Sequence, residues 1–346
     1  MDYPKFRVCC RCFTFNHSQY ITDTMNGFTM QQTSFPFVCC IVDDASTDGE
    51  QDVIRKYVEE NFDFTEGSVA YHKETDYAHI TYAQHKTNKN CYFAVLYLKE
   101  NHYSQRKPKF PYLEEWRNIC EYEAICEGDD YWIDYQKLQK QYEFLEENNN
   151  YVLVHTAFDS FNQENSKLIS NNRCWPSGNV LKNLVTGNYN IGTLTTFYRK
   201  SSYERIPRLF IDKKFLMGDL PLWIELSSVG MVKYLSDKTS VYRILPNSAS
   251  HNSDLSKEVS FIKSAYEIRA FYAAEYGYHN IDWNYLINRS LLKLAYYRNS
   301  ILLAEKSIHN LNKSNKRIGF KCYLLYYSVR WSFFKKIVGL IYKTKR

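Results

Sequence analysis

The first sixty residues alternate between short apolar runs and amphipathic stretches. Arg7 to Phe13 reads as a first strand, interrupted by Arg11, and the apolar run Phe37 to Val42 as a second, buried one. Between them, Tyr20 to Gln32 places Tyr20, Ile21, Met25, Phe28 and Met30 at loosely helical spacing. The loop Asp43 to Glu50 follows the second strand. Thr47 and Glu50 have the spacing of a capping box, which predicts a helix running to about Glu60. A strand–helix–strand–helix opening predicts a parallel sheet covered by helices.

Residues 67–111 predict only two short strands, Val69–His72 and His79–Tyr82, and a polar loop from Glu100 to Pro111. A short helix over Tyr112–Ile119 then leads into a strand over Tyr122–Glu127. The stretch Tyr135 to Glu147 is helical, with Leu138, Tyr142 and Leu145 on one face. Tyr151–His155 reads as a strand, Ser160–Gly178 as a surface loop, Val180–Thr186 as a helix and Thr193–Arg199 as a strand. A helix over Asp219–Val229 carries Pro221 near its start, where the missing donor is not needed. Met231–Leu235 and Ser240–Leu245 are two further strands. Beyond Lys257 the pattern is helical with periodic aromatics, and there is no internal repeat.

Composition is that of a soluble globular protein. Hydrophobic residues make up 45% and charged residues 24% of 346, an ordinary balance for a soluble fold. The ten cysteines lie mostly in strand-like runs with no paired CxxC, which predicts small buried residues in a reducing cytoplasm. No secretory signal is visible, and no uncharged stretch reaches the roughly 18–20 residues that a spanning helix needs. The net charge of +6 comes from the end of the chain: residues 313–346 hold ten Lys and Arg and no acid. The remainder is slightly acidic, which argues against a nucleic-acid partner.

Candidate chemistry lies in three acidic segments: Asp43-Asp44, Asp129-Asp130 and Asp219. The first two follow strands, where an open α/β sheet binds its ligands. Adjacent carboxylates suit a divalent cation carrying phosphates, although Gly-Asp-Asp is also ordinary turn composition. Thr14-Phe15-Asn16 ends the first strand and offers a ring and hydrogen-bonding groups that suit a nucleobase. There is no Walker A sequence and no GxGxxG, so phosphate would be held through a metal. Arg243 and His251 flank Leu245 to Ser250, where His251 could contact phosphate or metal or lie in a plain surface loop. Arg106, Lys107 and Lys109 could meet phosphate or form a solvated loop. Trp132 and Trp223 read as packing residues, and His17, His72 and His155 as structural ones.

In order and spacing these segments resemble family 2 inverting glycosyltransferases. Val42-Asp43-Asp44-Ala45-Ser46-Thr47-Asp48-Gly49 resembles their "VDDGSTDG" signature, and Phe13-Thr14-Phe15-Asn16 their opening "PTYN". Glu127-Gly128-Asp129-Asp130-Tyr131-Trp132 is similar to their DXD-type motif. Gly218-Asp219-Leu220-Pro221-Leu222-Trp223 resembles the motif that carries the catalytic base, with Gly218 where the family often has Glu. The match covers about residues 5 to 252.

The resemblance implies a GT-A fold: a Rossmann-like, mostly parallel sheet flanked by helices, with a helical C-terminal extension. It implies a nucleotide-sugar donor, such as a UDP-sugar, and Mn²⁺ or Mg²⁺. Phe15, between Thr14 and Asn16, would lie near the base. Asp44, with Asp43 beside it, would bind base or ribose. Asp129 would contact the ribose–phosphate region and the metal, Asp130 would ligate the metal, and Asp219 would be the general base. The acceptor would be a glycan or polyprenyl-linked hydroxyl in bacterial surface-polysaccharide synthesis. A non-catalytic sugar-nucleotide-binding scaffold of the same fold is the alternative.

Two domains are expected: a catalytic one over 1–252 and a helical region over 253–346. The basic, aromatic-rich tail 313–346 suits peripheral contact with an anionic membrane, placing the protein at the cytoplasmic membrane's inner face.

Overall fold

Every residue of strand β2 (Phe37–Asp43) is buried, as is all but one of strand β1 (Val8–Thr14). Strands apolar on both faces need cover on both sides, and the architecture follows from that. The computed structural model describes residues 3–246, 253–314 and 316–331, together with 334 and 338. After β1 come α1 (Ile21–Thr29), β2, α2 (Glu50–Asn61), β3 (Tyr71–Glu74), β4 (Ala78–Gln84), β5 (Cys91–Leu98), α3 (Glu114–Arg117), β6 (Tyr122–Ile125) and β7 (Tyr131–Trp132). Next are α4 (Lys137–Glu147), β8 (Tyr151–Asn162), β9 (Lys167–Ile169), α5 (Leu181–Val185), β10 (Phe197–Arg199) and α6 (Lys200–Arg205). The chain continues through α7 (Asp219–Val229), β11 (Met231–Ile244), α8 (Leu255–Glu275), α9 (Trp283–Arg298), α10 (Ile301–Asn312) and α11 (Phe320–Arg330).

The fold is α/β, with one large sheet in the order β3-β4-β5-β2-β1-β6-β10-β8-β11-β7 and β9 added to β8. Its centre is parallel: β1 pairs with β2 on one side and β6 on the other, and β2 pairs with β5. Antiparallel strands extend it on both sides. One face packs Ile21, Met25 and Phe28 of α1 and Ile54 and Val58 of α2 on the sheet. The other face packs Leu113, Trp116 and Cys120 around Phe6 and Leu96.

The chain divides into two compact units. One holds residues 1–180, 191–207 and 225–243, including the sheet; the other holds 181–190, 208–224 and 244–346, including α8 to α11. No helix among the described residues is long and apolar enough to cross a membrane.

Four local expectations need correction. Strand β5 lies in a stretch where no strand is predicted, yet all eight of its residues are buried, at the heart of the sheet. The capping box does not form. Gly49, in left-handed conformation (φ 87°), caps α2, and the Glu50 carboxylate turns away to other partners. Ser160–Gly178 is not all loop, since β8 extends to Asn162 and pairs with β9. The two strands expected over 231–245 are one long strand, β11.

Nine cysteines are buried and Cys174 is exposed. Arg11, an apparent interruption of β1, is buried with its guanidinium 4.5 Å from the Phe110 ring and 5.0 Å from Phe13.

His155 lies buried on β8, its ring 5.2 Å from that of Tyr234. Burial lowers its pKa to about 3. Its folded pKa is thus below the unfolded value near 6.5, so the unfolded chain takes up a proton first as pH falls. Stability is therefore lost as pH drops from about 6.5 toward 3, by at most ~1.4 kcal/mol per pH unit from this group. Urea midpoints of His155→Gln measured across that window should show a shallower pH dependence than wild type.

Candidate functional site

Because β1, β2 and β6 run parallel in register, their carboxyl ends share one edge: Thr14 pairs with Asp43, and Arg11 with Ile125. Three loops leave that edge and bind one another. The Asp44 N–H donates to the Thr14 carbonyl at 3.0 Å, and the Gly128 N–H to the Phe13 carbonyl at 3.1 Å. Asn16 (φ 57°) donates its N–H to Ser46 Oγ at 2.9 Å and accepts from the Thr47 N–H at 2.8 Å. Phe15 projects from the same turn and is 40% exposed, leaving its ring free to stack.

Glu50, unassigned beyond its capping role, ties the first two loops together. It is fully buried and accepts from the His17 N–H and Ser46 Oγ, each at 2.8 Å, and from Thr14 Oγ1. Burial raises its pKa.

The two acids after β2 have different surroundings. Both Asp44 oxygens are occupied: Oδ1 accepts from the His102 N–H at 2.7 Å, and Oδ2 from the Tyr103 N–H at 3.0 Å and Lys109 Nζ at 2.8 Å. Asp44 thus folds the 101–109 loop over the end of β2, and Lys109 is its counter-ion as well as part of a basic loop. Asp43 accepts through Oδ1 from the Ser46 N–H at 3.1 Å and Gln51 Nε2 at 2.6 Å, while its buried Oδ2 has no hydrogen-bond partner. Burying an acceptor without a partner is costly, so this oxygen is an unmet demand within the site.

The Glu127–Asp130 loop is shaped by close approach. A Cβ on Gly128 would fall 2.0 Å from Thr14 Oγ1, so only glycine fits there. Thr24 Oγ1 of α1 donates to the carbonyls of Gly128 (3.0 Å) and Asp130 (2.6 Å). Asp130 is buried and Asp129 partly exposed. Burial, then the charge of Asp129, push the Asp130 carboxyl well above the usual carboxylate range.

Pairing of β7 with β11, Tyr131 opposite Val241, brings Arg243 to this loop. Its N–H donates to Asp130 Oδ1 at 2.7 Å, its Nε to the Asp129 carbonyl at 2.8 Å, Nη1 to Gln163 at 2.9 Å and Nη2 to Asp23 at 2.7 Å. The guanidinium also lies 4.8 Å from the Tyr20 ring and 4.9 Å from the Tyr131 ring. All three guanidinium nitrogens thus help to hold the loop. Sequence reading found Arg243 only as a flank of Leu245 to Ser250; nothing local links it to Asp130, 113 positions away.

Trp132 packs, as expected, with its Nε1 donating to the Leu194 carbonyl at 2.8 Å. His251, with residues 247–250, lies outside the described residues.

Asp219 opens α7 in the other unit, where its Oδ1 accepts from the Leu220 N–H at 2.8 Å and its charge acts on the buried Arg269.

Among the described residues, no three His, Cys, Asp or Glu side chains are placed to hold a metal by themselves. Asp130 and its neighbour Asp129 nevertheless fit a divalent cation whose other ligands come from a bound diphosphate. They are hard oxygen donors, and the carboxyl of Asp130 is one that burial and a like charge leave short of positive charge.

No family model matches the chain. It is 30% identical over 133 residues to uncharacterized proteins of Mycobacterium tuberculosis (Rv1520) and Mycobacterium bovis (Mb1547). The match spans 38% of this chain and 30% of the length of those relatives. Among solved structures, S. aureus TarS 1–349 in complex with UDP-GlcNAc is 12% identical, over 94% of this chain and 79% of that one, at a TM-score of 0.49. The mannosyltransferase PcManGT of Pyrobaculum calidifontis, in complex with GDP-Man and Mn2+, is 14% identical over 90% and 87%, at 0.47. No residue role is taken from likenesses this distant.

Three substitutions test the loop geometry by urea denaturation. Gly128→Ala should cost about 1–3 kcal/mol through overpacking against Thr14. Arg243→Met should cost about 1–3 kcal/mol by leaving the Asp129 carbonyl unpaired, and Arg243→Lys should not restore it, since one ammonium cannot span three separated acceptors.

Proposed function

We propose that the chain is a metal-dependent, inverting glycosyltransferase of GT-A fold. It takes its sugar from a nucleotide-sugar donor, a UDP-sugar by preference, and delivers it to a hydroxyl of a glycan or polyprenyl-linked acceptor of a bacterial surface polysaccharide. One observation supports this reading above the rest. The loops resembling three ordered family motifs lie at one sheet edge and are hydrogen-bonded to one another.

The roles follow from the surroundings of each group. Phe15 stacks near the base. Asp44, with Asp43 beside it, meets the base or ribose; the unpartnered Asp43 oxygen is available to a donor there, and Asp44 also holds the 101–109 loop. Asp129 meets the ribose–phosphate region. Asp130, with Asp129, would hold Mn²⁺ or Mg²⁺, which when bound neutralises charge developing on the leaving diphosphate. Asp219 takes the proton from the acceptor hydroxyl as it attacks the anomeric carbon from the face opposite the leaving group. A single displacement of that kind inverts configuration.

A screen of nucleotide sugars for Mn²⁺-dependent rise in unfolding temperature tests donor binding, because a ligand specific for the native state raises apparent stability. Asp130→Asn should abolish the metal-dependent part of the shift. Asp219→Asn should keep the shift and lose about 10²–10⁴-fold in transfer rate. Full transfer by Asp219→Asn would refute that residue as base. Binding with no turnover of any donor would favour the scaffold alternative.

A further inference from the structure

Helices α9, α10 and α11 pack around Leu292, Ala295, Ala304, Ile308, Leu311 and Leu325. Helices α10 and α11 run antiparallel: Tyr323 reaches Asn312, and Arg330 pairs with Glu305 at 3.1 Å. One end of the bundle therefore joins the α9–α10 turn to the end of α11. Several apolar residues there are exposed, although Phe334 lies 6.0 Å from the Trp331 ring. Leu302 is 79% exposed, Tyr297 52%, Trp331 51% and Ile301 50%. This end is well formed, since Ser300 Oγ caps α10 by accepting from the Leu303 N–H at 3.3 Å. Trp331 stacks on Tyr327 with ring centres 5.3 Å apart.

A small positive excess surrounds this end, two of its three described bases being paired with acids. Lys293 Nζ lies 5.9 Å from the Tyr297 ring, and Arg298 and Arg330 flank the turn, each paired with one acid, Glu258 and Glu305. The sequence that follows Trp331, residues 332–346, has five Lys and Arg and no acid. The chain up to residue 312 holds 34 basic against 38 acidic residues, so the excess positive charge belongs to its last 34 residues, which include α11.

We propose that this end of the bundle, through Tyr297, Ile301, Leu302 and Trp331, is the surface that docks the chain onto an anionic lipid bilayer. The aliphatic pair enters the boundary between headgroups and acyl chains. The aromatic rings lie at the interface, and the Lys and Arg side chains reach the phosphates. A second copy of the chain could also cover the apolar residues, but it would bring two basic segments together, which like-charge repulsion opposes. The contact is thereby extended beyond the basic tail to the α9–α10 turn, and it rests on no step of sugar transfer.

The test uses the full chain in flotation with vesicles of phosphatidylcholine alone or with added phosphatidylglycerol. Wild type should bind the anionic vesicles, release them at high salt and ignore the neutral ones. The double variant Ile301→Ser/Leu302→Ser should bind at least about tenfold more weakly with unchanged unfolding temperature, because both residues are solvent-exposed. Leu168→Ser, which removes an exposed leucine from β9, should bind as wild type. Undiminished binding by the double variant, equal binding to neutral vesicles or absence of binding would overturn the proposal. So would a concentration-dependent dimer that the double variant abolishes.

Discussion

The parallel pairing of β1 between β2 and β6 is the constraint on which the site depends. Right-handed crossovers leave the carboxyl ends of parallel strands on one edge, and the register sets how closely their loops meet. Here Thr14 is opposite Asp43, and Thr14 also meets Gly128 so closely that no side chain fits at that glycine. A slip of one residue would turn each strand's core face to the other side and part these loops. The buried apolar faces of β1 and β2, covered by α1 and α2, resist that slip.

The edge so formed gathers acids: Asp43, Asp44, Glu50 and Asp130 are buried there, with Asp129 beside them. The fold handles them in three ways. Asp44 receives two backbone N–H groups and Lys109. Glu50 is bound by the His17 N–H and hydroxyls that hold two loops together. Asp130 receives one N–H, from Arg243, and stays under strong desolvation. Asp44 and Glu50 are tied into the loops around them, while one buried oxygen of Asp43 has no hydrogen-bond partner. The adjacent acids Asp43 and Asp44 thus differ in their hydrogen-bond supply.

Arg243 shows why part of the site lay beyond sequence reading. Its environment is made by β11 pairing with the two-residue strand β7, by α1 and by Gln163. Apart from β11, to which it belongs, none of these is near it in the chain. Lys109 is similar: as one of three basic residues in a polar loop it looks solvated, and only the return of that loop to β2 gives it Asp44. Strand β5 was missed for another reason. Its eight residues are apolar without alternation, a pattern that a strand buried on both faces shares with a buried helix segment.

The sequence by itself determined the α/β class, the strand–helix opening, the helix at Asp219 and the acidic loops, because periodicity, turn residues and local charge are properties of neighbours in the chain. Tertiary structure decided how those acids divide their work, why residue 128 must be glycine, and that Arg243 and Lys109 hold loops. Those outcomes depend on register and burial, which bring together residues tens to more than two hundred positions apart. Desolvation and hydrogen-bond supply are set only once those residues meet.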